Sequence, residues 1–251
     1  MPTIKTNGAT IYYEDTGAGI PIVFAHGGGG NHMSWYQQVP YFSKEYRCIT
    51  FDQRSFGQSI DESKEFADAF QRDMEELLNG LNIDKAFLVA QSMGGYSCMP
   101  FAIRNPERVI KLVMSDTFAG LSSPSVTEAM RKHLAVENTD RQGTHKVFRE
   151  GNPAGQFLYE QIRGMNPPRI PERDIWDTIE SWVSPLEIEN STVPVLYIVG
   201  EEDEVVPISV IQEAHKVTPN SSVAVVSEAG HSVYFEKPDI FNYIVDQFFK
   251  Q

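Results

Sequence analysis

Three kinds of group that can share a proton lie far apart in the chain, each just past an apolar run. Ser92 follows "AFLVAQ" and precedes Met93, Gly94 and Gly95; a run of acids, residues 201 to 204, follows "VPVLYIVG"; His231 follows "SSVAVVSEAG". A serine hydroxyl is a poor nucleophile near neutral pH unless a base takes its proton as it attacks. Histidine suits that exchange, with an unperturbed pKa of about 6.5. A carboxylate behind the imidazole fixes its tautomer and stabilises it once charged. The residue types therefore permit nucleophilic catalysis. Taken alone, Ser92 reads better as the N-cap of a following helix, and an acidic run is ordinarily a solvated loop.

A second stretch, "HGGGGNH" (26–32), could cradle a phosphate, but no "GK[ST]" follows it. His26 and His32 suggest metal ligands only until a third ligand is sought, and none has suitable spacing. Each reads as a histidine hydrogen-bonded within its loop. Cys48 and Cys98 sit in apolar surroundings and read as small core residues. We expect neither a metal nor a cofactor.

These groups need elements to hold them. "TIKTNGATIYYE" is two short runs around Asn7-Gly8, a hairpin signal. Compact apolar runs at 21–26, 46–52, 86–90, 109–116, 193–200 and 221–230 read as strands. Between them, residues 64–80 carry apolar side chains at three- and four-residue steps, which predicts an amphipathic helix. Helices are also expected after Gly94, over "VPISVIQEAHKVT" and over "PDIFNYIVDQFFK". Short strands alternating with helices predict an α/β fold whose mostly parallel sheet is covered on both faces. In such a sheet reactive groups gather beyond the carboxyl ends of the strands. Residues 119–192 break the rhythm, with helical patterns near 124–137, 144–164 and 172–183. We expect 1–118 and 193–251 to form the core and 119–192 a helical cap.

The chain has 251 residues, 41% of them apolar, and a formal net charge of −13. That length supports a sizeable core. The acidic balance argues against nucleic acid or an anionic membrane as the main partner. "MPTIKTNGATIYYED" has no apolar signal core, and no run of about 18 apolar residues occurs. A cytoplasmic protein acting on a small molecule is expected.

Together these motifs resemble the α/β-hydrolase superfamily, nearly end to end. Ala90-Gln91-Ser92-Met93-Gly94 is similar to the nucleophile elbow G-x-S-x-G, with alanine at the first glycine. "AHGGGGNHMSW" is similar to the family's oxyanion loop. "DQRSFGQS" resembles the turn D-x-R-G-x-G-x-S, with Ser55 in the glycine position, and "GEEDEVVP" resembles G-x-x-D-x-x-x-P, which singles out Asp203. The resemblance implies Ser92 as nucleophile, His231 as base, Asp203 as orienting acid, and the main-chain N–H groups of Gly28 and Met93 as oxyanion donors.

A serine at the elbow points to carboxylesterases, lactonases, thioesterases or carbon–carbon bond hydrolases, and the chain is most similar to small capped esterase- and lactonase-like members. Met130, Phe148, Phe157, Leu158, Tyr159, Ile162, Met165, Trp176 and Trp182 supply apolar and aromatic surface in the cap, some of which is expected to face the site. Trp176, Trp182 and Phe157 are the candidates for the pocket wall, with packing of the two tryptophans against the domain below as the alternative. The expected substrate is a small to medium, largely apolar ester or lactone; Arg131, Arg149 and Arg163 leave room for a carboxylate-bearing one. The alternatives are a carbon–carbon bond hydrolase and a slow-turnover small-molecule receptor.

Overall fold

The computed structural model describes residues 2–136, 141–168 and 182–251. Among these residues nine strands form one sheet. β1 (Thr3–Thr6) and β2 (Ala9–Gly17) make the expected hairpin, with Gly8 at a φ of +83°. β3 (Pro21–Ala25), β4 (Arg47–Phe51), the two-residue β5 (Ile60–Asp61), β6 (Ala86–Gln91), β7 (Val109–Ser115), β8 (Val195–Gly200) and β9 (Ser221–Val226) follow. The spatial order is β1-β2-β4-β3-β6-β7-β8-β9, with β5 beside β2. All pairings from β4 to β9 are parallel. The chain steps from β3 outward to β4, then returns to β6 on the other side of β3. The winding therefore reverses between β3 and β6, where a crevice opens beyond the strand ends.

Side chains of the central strands alternate between two apolar layers. Val23, Ala25, Leu88, Ala90 and Met114 face one way, against α2 (Phe70–Gly80), α3 (Gly95–Arg104) and α8 (Ile208–Val217). Ile22, Phe24, Phe87, Val89 and Val113 face the other, against α1 (Val39–Phe42) and α10 (Pro238–Lys250). Burying a Leu or Phe stabilises by roughly 1.5–3 kcal/mol, so both faces of each strand favour the same register. That two-sided burial is why these strands read as continuous apolar runs.

The helix predicted from residue 64 begins six residues later. Lys64 and Phe66 take φ of +61° and +51°, and Phe66–Ala69 is a 3₁₀ turn. The Asp61 carboxylate accepts the backbone N–H groups of Lys64 (2.8 Å) and Phe66 (3.0 Å). Such local bonds compete with the helical ladder.

Residues 119–192 contribute α4 (Pro124–Leu134), α5 (Lys146–Gly151), α6 (Pro153–Gly164) and α7 (Pro185–Glu189), and among the described residues none of its segments joins the sheet. The single pattern expected over 144–164 is broken at Asn152–Pro153, where proline removes a helical N–H. The pattern at 172–183 lies almost wholly outside the described residues. The segment is tied to the strand-end loops through Asn31 Nδ2, which donates to the Ile162 carbonyl (2.9 Å), and Asn166 Nδ2, which donates to the Gly29 carbonyl (3.0 Å).

Candidate active site

β6 ends at Gln91, and the chain turns at once into Ser92, whose φ is +48°. A serine in that left-handed region is unusual and needs surroundings that hold it there. They are close: a Cβ on Gly94 would overlap the Ala25 carbonyl of β3, and one on Gly95 would come within 2.7 Å of the Ala119 carbonyl. Ala90, at the first position of the motif, is fully buried beside Ala25. The capping alternative does not hold, because neither the Ser92–Gly94 turn nor α3 has a side-chain N-cap bond.

The Ser92 hydroxyl instead meets His231 Nε2 at 2.9 Å. His231 Nδ1 lies 2.9 Å and 3.1 Å from the two carboxylate oxygens of Asp203. Asp203 Oδ1 also accepts the N–H groups of Val205 and Val206, each at 2.8 Å. Those two bonds aim the carboxylate, so Nδ1 carries the imidazole proton and Nε2 turns its lone pair toward Ser92. Asp203 and His231 are 4% and 7% exposed. Burial acts to lower the His231 pKa, but the Asp203 carboxylate, backed by Asp116 and Glu236, outweighs it and leaves the pKa above 6.5. Serine, acid and histidine, more than a hundred residues apart at the extremes, thus form one hydrogen-bonded chain.

Two buried acids that sequence reasoning passed over hold the loops in place. Asp116, just past β7, accepts the Gly200 N–H (3.0 Å) on one oxygen and the Val233 N–H (3.2 Å) on the other. It thereby bridges the end of β8 and the start of α9 (Val233–Glu236). Burial first, then the nearby Asp203 carboxylate, pushes its pKa up to about 8. Glu236 accepts the N–H groups of Gly230 (3.1 Å) and Ser232 (3.2 Å), on either side of His231. The signal for Asp116 was present: an acid at the end of a buried parallel strand, the same position type as Ser92.

The site opens on a cavity of about 320 Å³. Gly28, Gly29 and Gly30 line it from the end of β3, with Ser92, His231 and Gln91, whose Nε2 donates to the His231 carbonyl at 2.8 Å. Gly28 is therefore at the cavity wall. Met93 has its side chain in the core at 5% exposure, so only its main chain can serve the site. His26 is fully buried, donates from Nδ1 to the Gly27 carbonyl (2.8 Å) and accepts the Gln53 N–H at Nε2 (3.0 Å); burial lowers its pKa. His32 Nδ1 meets Asp52 at 2.8 Å.

The pocket residues expected from the cap fare differently. Phe157 is 64% exposed on α6 and is not among the cavity's described lining residues. Trp182 packs on Tyr96 and Phe118 in the core, with ring centroids 5.2 and 6.4 Å away, and does not reach the described lining. Trp176 lies outside the described residues. Tyr159 and Ile162 do line the cavity, with Val205, Tyr234 and Phe235, but Met165 is exposed. An amphipathic period shows which cap residues share a face, but not which of them meets the cavity.

Of the three arginines considered, Arg131 pairs with Glu128 on the surface, Arg149 donates to the Thr144 carbonyl, and Arg163 lines the cavity. Arg141, not expected, lines it too. The described walls are thus more polar than the apolar pocket anticipated.

A family model described as alpha/beta hydrolase fold matches residues 20–144. The 2-hydroxy-6-oxononadienedioate/2-hydroxy-6-oxononatrienedioate hydrolase of Paraburkholderia phymatum is 28% identical over 96% of this chain and 91% of its own. The pimeloyl-[acyl-carrier protein] methyl ester esterase of Legionella pneumophila is 26% identical, with 96% and 99% covered. A thermophilic esterase from Thermogutta terrifontis, 25% identical, superposes with a TM-score of 0.80 over 99% of this chain and 97% of its own. Sequence over the first half and fold over nearly the whole length agree, and the chain belongs to the α/β-hydrolase superfamily.

Proposed function

We propose that the protein is a serine hydrolase that opens a small to medium ester or lactone through an acyl-enzyme. Ser92 attacks the carbonyl while His231 takes its proton at Nε2. Asp203 holds the imidazole and balances its charge. The N–H groups of Gly28 and Met93 receive the developing oxyanion; losing one such donor costs roughly 3 kcal/mol of barrier. The proton on His231 then passes to the leaving oxygen, and a water activated by the same imidazole releases the acid. Residues 119–192 act as the cap over this site, and the apolar part of the substrate rests on Tyr159, Ile162, Tyr234 and Phe235. The observation that carries the reading is the relay of 2.9 Å contacts from Ser92 Oγ through His231 to Asp203 at the mouth of a cavity.

Hydrolysis of 4-nitrophenyl acetate and butyrate tests it. Ser92→Ala is expected to lower the rate by roughly 10³-fold or more, and Asp203→Asn by roughly 10²- to 10⁴-fold with the fold intact. Activity that persists in Ser92→Ala would end the reading. A second reading, carbon–carbon bond hydrolysis with the same residues, is favoured by the full-length relative from Paraburkholderia phymatum. It is supported if a vinylogous 1,5-diketone is cleaved faster than either ester.

A further inference from the structure

The charge of the cavity runs against that of the chain. Acids outnumber lysines and arginines by 34 to 21, for a formal net charge of −13. Yet among the described lining residues the permanently charged side chains are Arg141 and Arg163, and no carboxylate joins them. The acids nearest the chemistry have their oxygens turned to backbone N–H groups or to His231, as described above.

Neutral groups hold both arginines at this wall. Arg163, near the end of α6, has its guanidinium against Gly29, where a Cβ would overlap Nη1. Glycine at 29 thus makes room for an arginine beside the loop that carries Gly28. The Asn166–Gly29 and Asn31–Ile162 hydrogen bonds fix α6 to that loop. The Arg163 guanidinium also lies 5.6 Å from the Tyr159 ring centroid, and it forms no ion pair among the described residues. Arg141 is half-buried; its Nη2 donates to the carbonyls of His133 (3.2 Å) and Val136 (3.4 Å), while its buried Nε has no hydrogen-bond partner among the described residues. An arginine with no carboxylate partner and an unused buried donor among the described residues, at the wall of a reactive cavity, is costly unless a ligand supplies the acceptor. Guanidinium is matched in shape and charge to a carboxylate.

We infer that the substrate carries a carboxylate, held by Arg141 and Arg163 while its ester or lactone carbonyl lies at Ser92. This rests on the serine hydrolase reading for the reaction, though not for the anion site itself. The carboxylate can belong to the acyl part or to the alcohol part of the substrate.

Two matched pairs of esters decide the matter: mono-4-nitrophenyl glutarate against 4-nitrophenyl pentanoate, and 4-acetoxybenzoate against phenyl acetate. The expected result is a kcat/KM about tenfold or more higher for the charged member of one pair, and the pair that shows it identifies the side bearing the charge. In Arg141→Met/Arg163→Met that ratio should fall toward one, and in Arg163→Lys it should be partly kept. Circular dichroism checks that the variants fold, and Arg163→Gln alone, at an exposed position, replaces the double variant if that one does not. Equal rates within both pairs, or a preference that survives in the folded variants, would overturn the inference. If the wild type hydrolyses none of the four esters, the serine hydrolase reading fails separately. The anion site is then judged by the shift in Tm with glutarate against its dimethyl ester. A shift with glutarate only, lost in the variants, supports the site, and no shift overturns it.

Discussion

In the proposed reaction a single proton position decides whether Ser92 can attack. His231 must be neutral at Nε2, and the acids around it raise its pKa above 6.5. A base with a raised pKa is lost as pH falls through that raised value. The acid limb of kcat/KM for a neutral ester should therefore have its midpoint above 6.5, and Asp203→Asn should move it down. A flat profile, or a midpoint below 6.5 in the wild type, would mean that another group is the base. Ser55 is a second residue with a local penalty. It occupies a turn position at φ +68°, where its hydroxyl is 3.3 Å from Asp61. Left-handed backbone costs a non-glycine residue roughly 1–2 kcal/mol, and the partly buried hydrogen bond returns roughly 1 kcal/mol. Ser55→Gly should leave stability unchanged or raise it by up to about 1 kcal/mol, as read from urea unfolding; a loss above about 1 kcal/mol would show that the hydroxyl outweighs the backbone. Ser92, Asp203 and His231 were legible in sequence as candidates, because each sits in a short stretch that resembles a family motif, and the structure brings the three within hydrogen-bond distance of one another. Ser55 was legible as a departure from such a motif. Arg141 and Arg163 were not legible as a pair, since their relation to Gly29 and to the cavity exists only after α6 docks.

At the scale of elements, the central strands were read from their apolar runs and the first hairpin from its Asn7-Gly8 turn, and the structure keeps them; the two-residue β5 carried no such signal. Helix boundaries failed where side chains compete with the backbone, as Asp61 does before α2 and Pro153 does between α5 and α6. The strand ends bring the reactive groups together, and Asp116 is the tie between two of them. Its carboxyl is buried and its pKa is pushed up to about 8, against an ordinary 3.8. An acid whose folded pKa is raised binds a proton more tightly in the native state than when unfolded. Its contribution to stability therefore declines as pH rises from the unfolded value through the folded one. Asp116→Asn removes this dependence. The stability of the variant relative to wild type should rise steadily between about pH 4 and pH 8. Urea unfolding midpoints measured at both ends check this, and parallel curves would show that Asp116 ionises as easily in the native protein as in the unfolded chain.

Over the whole molecule, the excess of 13 negative charges is a long-range term that no single contact offsets. Several ion pairs join exposed side chains, such as Arg131–Glu128, Lys132–Glu128 and Lys146–Glu150. Pairs of that kind are worth about 0–1 kcal/mol each and are screened by salt. The Arg54–Asp73 pair, at 2.6 Å with both side chains buried, is shielded from ions. Adding sodium chloride therefore weakens some small surface attractions and, with them, the repulsion summed over the entire surface. Raising ionic strength from about 10 mM to about 150 mM shortens the Debye length from about 30 Å to about 8 Å, less than the span of the sheet. Repulsion across the molecule is then removed, while contacts at hydrogen-bond distance are only partly weakened. The net effect should be stabilising: a gain of about 1 kcal/mol corresponds to a Tm increase of roughly 2–4 °C for a chain of this size. Chloride is the suitable anion, because sulfate would strengthen apolar burial as well. A Tm that stays level or falls across that range would mean that local pairs, rather than the net charge, govern the electrostatics of the fold.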